Sequence, residues 1–197
     1  MKKLLFLLIL ISSCKKEVYY YPSKSFFEEN NPTEIIIDEL SFKEVTDSIR
    51  NGLFRKEKYF LILNDKNNEY RISPFTYTGG FIKEKNALEI VDDSIYVSVN
   101  KFPLTELNKY LKLHFENNGK LEYLSDSYKR AFIKLVLETD DSSTKLNELL
   151  LRIIKTYDKT NIVFKDSINL NIMLSYSDGF IFKIPPPPIP LDLKDKL

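Results

Sequence analysis

Apolar residues recur at helical spacing in three segments of the chain, and each segment opens with a helix-start signal. In the first segment, Ser41 and Glu44 form a capping box, because the serine oxygen can accept an amide of the first turn while the glutamate reaches back. Leu40 and Val45 are placed as the accompanying hydrophobic staple. Gly52 predicts the end of this helix near its own position. The predicted buried stripe is Phe42, Val45, Ile49 and Leu53.

The other two predicted helices lie in the second half of the chain. Pro103 introduces one of them, and Asn118 with Gly119 ends it. The segment 140–143 caps the longer one, whose apolar spacing is typical of a helix lying on a sheet. The two stripes are Leu104, Leu107, Leu111 and Phe115, then Leu146, Leu149, Leu150, Ile153, Ile154 and Tyr157.

Short apolar runs separated by turn residues predict the strands. The polar turn at 64–68 lacks the glycine and the acidic repeat of a calcium loop, so no calcium site is expected there. Together the helices and strands predict an α+β fold, with about three helices packed on a mixed sheet. The predicted strands are 34–37, 59–63, 69–72, 88–91, 95–99, 131–137, 161–164, 168–175 and 180–184.

These elements fall into two predicted units, a β-α-β-β unit at 33–84 and an α+β domain at 87–184. Residues 14–32 show no period and contain two prolines, which predicts a tether. Its aromatic residues either dock on the domain or lie at lipid headgroups. The proline-rich tail 185–197 predicts polyproline II structure, either as a rigid end segment or as a ligand for an aromatic groove.

The N-terminus has the organisation of an export signal. Two lysines precede an apolar run at 4–11, and two serines then lead to Cys14. A spanning helix needs roughly 20 apolar residues, so this shorter run is predicted to be a targeting segment. The stretch 11–14 resembles the bacterial lipobox, which implies that residues 1–13 are removed and that Cys14 carries a lipid group. An ordinary secretory signal with a chance cysteine is the alternative.

The resemblance to lipoproteins also indicates a location. Lipoproteins kept in the inner membrane often carry Asp where this chain has Lys15, which favours lipid anchoring in the outer membrane. The segment 15–17 is slightly similar to the surface-export tag of lipoproteins from Bacteroidota, so the domain would face the periplasm or the cell surface. The formal charge falls from +1 to −1 once Lys2 and Lys3 leave with the signal, which argues against a nucleic-acid partner.

The usual catalytic, cofactor and metal motifs are absent from the sequence. His114 is the only histidine and lies at the margin of an apolar stripe, which predicts a packing or surface role. Two adjacent carboxylate pairs, Asp92 with Asp93 and Asp140 with Asp141, are the remaining route to an enzyme. Turn and cap positions explain both pairs. We therefore expect no enzymatic activity, no catalytic residue, no cofactor and no metal.

In the second half, a hairpin with a polar turn at 92–94 leads into a helix that opens with a leucine-glutamate-leucine phrase at 104–107. A later apolar strand ends in Glu138 before the longest helix. This order over 88–174 resembles the periplasmic domain of the ExbD/TolR family. The resemblance implies an α+β domain, self-association, and contact with peptidoglycan or an envelope complex. Members of that family also have a spanning helix with a proton-coupling aspartate, and the apolar run at 4–11 contains no acidic residue, so proton coupling is not expected.

Two functional hypotheses follow from the sequence. The first is a non-catalytic, lipid-anchored envelope lipoprotein that acts as an adaptor and binds another envelope protein or itself, within a transport complex by resemblance. The second is a lipoprotein that binds glycan or peptidoglycan. In both hypotheses the membrane contact is made by the lipid group on Cys14.

Overall fold

The structure is a computed structural model that describes residues 16–37, 40–66, 68–163, 165 and 168–177. The predicted signal, Cys14, the strand predicted at 180–184 and the proline-rich tail lie outside the described residues. The strands are β1 Glu17–Tyr21, β2 Thr33–Ile35, β3 Tyr59–Asp65, β4 Asn68–Ile72, β5 Phe75–Thr76, β6 Ala87–Val91, β7 Ser94–Val97, β8 Asn100–Pro103, β9 Phe132–Leu137 and β10 Ile172–Tyr176. The α-helices are α1 Lys24–Asn30, α2 Phe42–Phe54, α3 Leu107–Glu116 and α4 Ser143–Lys159, with 3-10 turns at Glu84–Asn86 and Leu104–Glu106.

The strands form two mixed sheets. The first has the order β1-β4-β3-β2, in which only β3 and β4 are antiparallel. The second has the order β5-β10-β9-β6-β7-β8, in which β7 and β8 extend a parallel sheet as an antiparallel meander. The α+β class is therefore confirmed, and the described residues contain one more sheet and one more helix than the sequence predicted.

Two of the three predicted helix starts are confirmed, whereas Pro103 leads into a 3-10 turn and α3 begins only at Leu107. The Ser41 amide donates to Glu44 Oε2 at 2.7 Å, and the Glu44 amide donates to Ser41 Oγ at 3.3 Å, which completes the capping box of α2. Ser142 caps α4 by accepting the Lys145 amide at 3.3 Å. These signals are local, so a few adjacent residues are enough to specify them.

Both predicted helix ends are found near the residues that signal them. Helix α3 ends as predicted, since Asn118 and Gly119 adopt positive φ angles of 45° and 76°. Helix α2 ends at Phe54, two residues past Gly52, so its end lies near that glycine but Gly52 is not the C-cap residue. Gly52 serves packing instead, because a Cβ atom there would lie 2.0 Å from the ring of Tyr59.

One hydrophobic core includes residues from both sheets and from the three longer helices. Alternate residues of β9 enter it, and Ile133 and Leu135 are completely buried. The predicted stripe of α4 is also buried throughout, which confirms that this helix packs by one face. Among the described residues, no helix combines the length and apolar character needed to cross a bilayer.

The tether predicted at 14–32 is wrong for the described part of that segment. Residues Glu17–Tyr21 form β1, which pairs in parallel with β4, and Lys24–Asn30 form α1. The pairing partner of Glu17 is Asn68, far away in sequence, so no local pattern signals this strand. Tyr21 and Phe27 are buried, so these two aromatic residues pack on the domain, the first of the two alternatives given for this segment.

Three strand predictions need correction. Strand β7 ends at Val97, and a turn containing Ser98 at φ 56° leads to the unpredicted strand β8. The described residues 161–163 form no strand, and β10 begins only at Ile172. Ile162 and Leu170 are buried nonetheless, because apolar residues of a loop can pack on the core without pairing.

The predicted unit 33–84 pairs and forms hydrogen bonds with residues outside it. Its last strand, β5, pairs with β10 of the second sheet. The amide of Phe42, at the start of α2, donates to the Asp141 carbonyl oxygen at 2.8 Å. The segment also shares its first sheet with β1, which precedes it.

Candidate functional site

The carboxylate pairs singled out in the sequence lie in an ion-pair network. Lys145 Nζ donates to Asp92 at 2.7 Å and to Asp141 at 2.8 Å, so the structure brings together one member of each pair. Partial burial disfavours the charged form of Lys145, but the hydrogen bonds to Asp141 and Asp92 outweigh it and raise the pKa of Lys145. Asp93 lies 3.6 Å from the Arg152 guanidinium.

This network has a structural explanation. It joins the turn between β6 and β7 to the first turns of α4, and cations accompany three of the four carboxylates. Glycoside hydrolysis needs two carboxyl groups that face a common cleft, and these residues line neither of the two cavities described below. In the described part of the chain, no three His, Cys, Asp or Glu side chains are grouped so that they could hold a metal ion.

His114 is completely buried, which confirms the packing role among the two that the sequence left open. Its Nε2 lies 3.0 Å from the Asn86 carbonyl oxygen. Burial lowers the pKa of His114 to about 4, although hydrogen bonds to the main chain of Asn86 and Phe132 act to raise it. The ring is therefore neutral at pH 7. Asn86 Oδ1 in turn accepts the Ser125 hydroxyl at 3.2 Å and the Asp126 amide at 2.9 Å, so this buried network holds the loop after α3.

A groove of about 220 Å³ lies where the first and second sheets adjoin, and we refer to it as the junction groove. It draws residues from the end of β1, from α1 and α2, and from the starts of β3 and β5. Most of its lining is apolar, with a polar rim. The lining residues are Pro22, Phe26, Ile49, Leu53, Glu57, Lys58, Tyr59, Ser73, Pro74, Phe75 and Asn171.

Tyr59 makes three hydrogen bonds in the wall of the junction groove. Its hydroxyl accepts from Arg55 Nη2 at 3.0 Å and donates to the Glu57 carboxylate. The hydrogen bond to Glu57 raises the pKa of Tyr59. The Tyr59 carbonyl oxygen also accepts the Ser73 hydroxyl at 2.7 Å, and Gly52 leaves room for the ring. Both main-chain and side-chain hydrogen bonds thus hold Tyr59 in the wall of the groove.

The size and lining of the junction groove limit what it can bind. Small-molecule sites usually enclose about 300–1,000 Å³, so a groove of about 220 Å³ is small for a substrate. It is large enough for one or two apolar side chains. The charged rim residues Glu57 and Lys58 and the amide of Asn171 offer hydrogen-bonding groups to an adjacent peptide main chain.

No family model matches this chain. No curated protein and no solved structure is significantly similar to it either. The sequence did not reveal the junction groove, because its lining comes from segments that are far apart in the chain and meet only when the two sheets form. The predicted lipidation site, Cys14, lies outside the described residues.

Proposed function

We propose that this protein is a non-catalytic, lipid-anchored adaptor of the bacterial cell envelope that holds a segment of another envelope protein, or of a second copy, in the junction groove. The observation that supports this most directly is the groove itself, a small, apolar and aromatic recess between two sheets. An extended peptide can place apolar side chains in such a recess while its main chain bonds to the rim. The likeness to the ExbD/TolR domain makes a transport complex a reasonable source of the partner.

The anchor in this proposal is the lipid group on Cys14. Each buried methylene contributes about 0.8 kcal/mol to membrane binding, and stable residence takes more than one acyl chain. We expect a Cys14→Ala variant to be released from the outer membrane or to stay unprocessed, as measured by membrane fractionation and intact mass. A variant that is still cleaved and still fractionates with outer membranes would contradict the lipid anchor.

The groove is tested by site-specific photo-cross-linking in cells. A photoreactive phenylalanine at Phe26 lies in the junction groove. The control position is Val99, which is 92 % exposed and lies on the turn between β7 and β8, at the far edge of the second sheet. We expect the Phe26 probe, and not the Val99 probe, to capture one defined envelope protein or a second copy. Equal patterns of capture at both positions would contradict binding in the groove.

A glycan ligand is the second candidate. Three aromatic rings of the groove, those of Phe26, Tyr59 and Phe75, remain partly exposed, and such rings can stack on sugars. Sedimentation of the purified lipoprotein in detergent with isolated sacculi distinguishes the two candidates. An adaptor with protein partners stays in the supernatant, whereas a peptidoglycan-binding protein sediments with the sacculi and a Tyr59→Ala variant sediments less.

A further inference from the structure

The outer face of the first sheet, the face turned away from the hydrophobic core, is only half covered. At one end, Phe27 of α1 packs edge-on against Tyr20 of β1 and Phe60 of β3, with ring centroids 5.2 and 5.5 Å apart. Arg71 lies over the same two rings, 5.7 Å from each centroid. At the other end of this face no described helix is packed.

The uncovered end forms a shallow cavity of about 240 Å³ whose lining mixes apolar and charged residues. Ile36, directly after β2, is 72 % exposed, and Val18 of β1 is 36 % exposed. Lys16 reaches across β4 to bond Asn64 and lies 3.9 Å from Glu69. We call this surface the anchor-proximal patch; its members are Lys16, Val18, Glu34, Ile36, Ile62, Asn64 and Glu69.

The patch is close to the proposed lipid along the chain. Strand β1 is paired with β4 from Glu17 onward, and Glu17 follows Cys14 by three residues. A fully extended chain spans at most about 3.5 Å per residue, so the lipidated cysteine lies within about 10 Å of the start of β1. A lipid group on Cys14 would therefore keep the start of β1, and with it the patch, close to the bilayer.

The polar groups of the patch are of both signs. Glu69 is paired with Lys16 and, at 2.8 Å, with Arg71, whereas Glu34 lines the same cavity and is exposed. The Lys16 side chain stays 44 % exposed beside Glu69, so its ammonium group can also contact a lipid phosphate. An isoleucine that is 72 % exposed on a folded domain also gains by leaving water.

We infer that the anchor-proximal patch rests on the headgroup surface of the membrane that holds the anchor, with Ile36 at the acyl boundary. This inference depends on the proposed lipidation of Cys14. It gives the domain a fixed orientation and so determines which surfaces remain available to partners.

The test uses the full-length lipoprotein purified from membranes and reconstituted into phosphatidylethanolamine and phosphatidylglycerol vesicles that contain brominated lipid. Cys14 is the chain's only cysteine, so with its sulfur lipidated an Ile36→Cys variant takes a fluorophore at one position. A Val99→Cys variant, on the turn between β7 and β8, is the matched exposed control. We expect severalfold stronger quenching by brominated lipid at position 36 than at position 99.

The possible results distinguish the proposed orientation of the domain from the proposed lipid anchor. If the protein floats with the vesicles but position 36 is quenched no more than position 99, the orientation is wrong and the anchor stands. If the protein carries no lipid and does not float, the anchor and the orientation are both wrong. A Val18→Cys label gives a second reading within the patch, and weak quenching at both positions would overturn the inference even if one label disturbed its own site.

Discussion

Gly52 shows how one residue can satisfy packing at the expense of helix stability. It lies within α2, where glycine is unfavourable, yet a Cβ atom would meet the Tyr59 ring at 2.0 Å. The ring is held by Arg55, by Glu57 and by its own strand, so it cannot simply swing away. At position 52, helix propensity therefore favours alanine over glycine, whereas the Tyr59 ring leaves no room for a Cβ atom.

We expect Gly52→Ala to lower the free energy of unfolding by about 1 kcal/mol, because overpacking of about 1–3 kcal/mol exceeds a helix gain of about 1 kcal/mol. The measurement is urea unfolding. In a Tyr59→Ser background the same change should be stabilising, because the ring is gone. An equally destabilising effect in the Tyr59→Ser background would contradict the contact with the ring.

His114 predicts an acid sensitivity of the fold. Its pKa is about 4 in the folded state against 6.5 for an exposed histidine. The unfolded chain therefore binds the proton more tightly, so the contribution of the neutral ring to stability is complete above pH 6.5 and is lost as the pH falls toward 4. The full difference corresponds to roughly 3 kcal/mol.

We expect the free energy of unfolding to fall between pH 6.5 and 5, where His114 is the only described side chain that titrates with a shifted pKa. A His114→Gln variant should lose this slope. Asp126, whose pKa is lowered to about 2 by Lys85 and Lys83, loses its contribution only below its ordinary pKa of 3.8. An Asp126→Asn variant should thus keep the slope, and a His114→Gln variant that also keeps it would contradict this account.

At the scale of elements, β1 is bound to both halves of the molecule. It pairs with β4, and the Tyr21 hydroxyl donates to Asp158 Oδ2 of α4 at 2.7 Å. Burial, together with this bond, raises the pKa of Tyr21 far above its ordinary value, so the hydroxyl stays protonated and remains a donor.

We expect Tyr21→Phe to lower the free energy of unfolding by about 1.5 kcal/mol, the usual contribution of a hydrogen bond to a charged group. A double-mutant cycle with Asp158→Ala, which removes the acceptor, should recover that coupling. Tyr20→Phe is the matched control, because the ring that meets Phe27 is retained. No difference between the two tyrosine variants would contradict the role of the Tyr21 hydroxyl.

The elements that the sequence predicted correctly are those with local signals. The cap residues of α2 and α4 and their apolar stripes act within a few turns, and the structure has both helices. Strand β1 is not predicted because its partner, β4, lies about 50 residues further along the chain. Strand β8 pairs with the adjacent β7, but its residues are mostly exposed, so no apolar alternation marks it in the sequence. The apolar residues of 161–164 predict a strand, and in the described part of that segment burial of Ile162 on a loop satisfies the same pattern.

At the scale of the whole molecule, the two sheets are not independent. They share one hydrophobic core, and β5 and α2 connect them. Tyr176 of β10 also donates to Asp47 of α2 at 2.8 Å. The candidate site could not be predicted from the sequence for the same reason, because the junction groove exists only where these distant segments meet.

We expect the domain to unfold in one cooperative transition, because residues of both sheets belong to one hydrophobic core. Fluorophores at Ile36→Cys in the first sheet and at Val99→Cys in the second should report the same urea midpoint. Far-ultraviolet circular dichroism should agree with both. A first sheet that melts earlier than the second would contradict the shared core and restore the division into two units.

The parallel pairing of β1 has a mechanical consequence. The chain enters β1 at Glu17 and passes into the rest of the fold at Tyr21, and five residue pairs join the strand to β4. A pull on the N-terminus acts along the strand, across the direction of the ladder bonds. All five pairs then bear the load together in shear, instead of opening one after another. Tension between a membrane and a bound partner would therefore reach the junction groove without first unravelling the strand that leads to it.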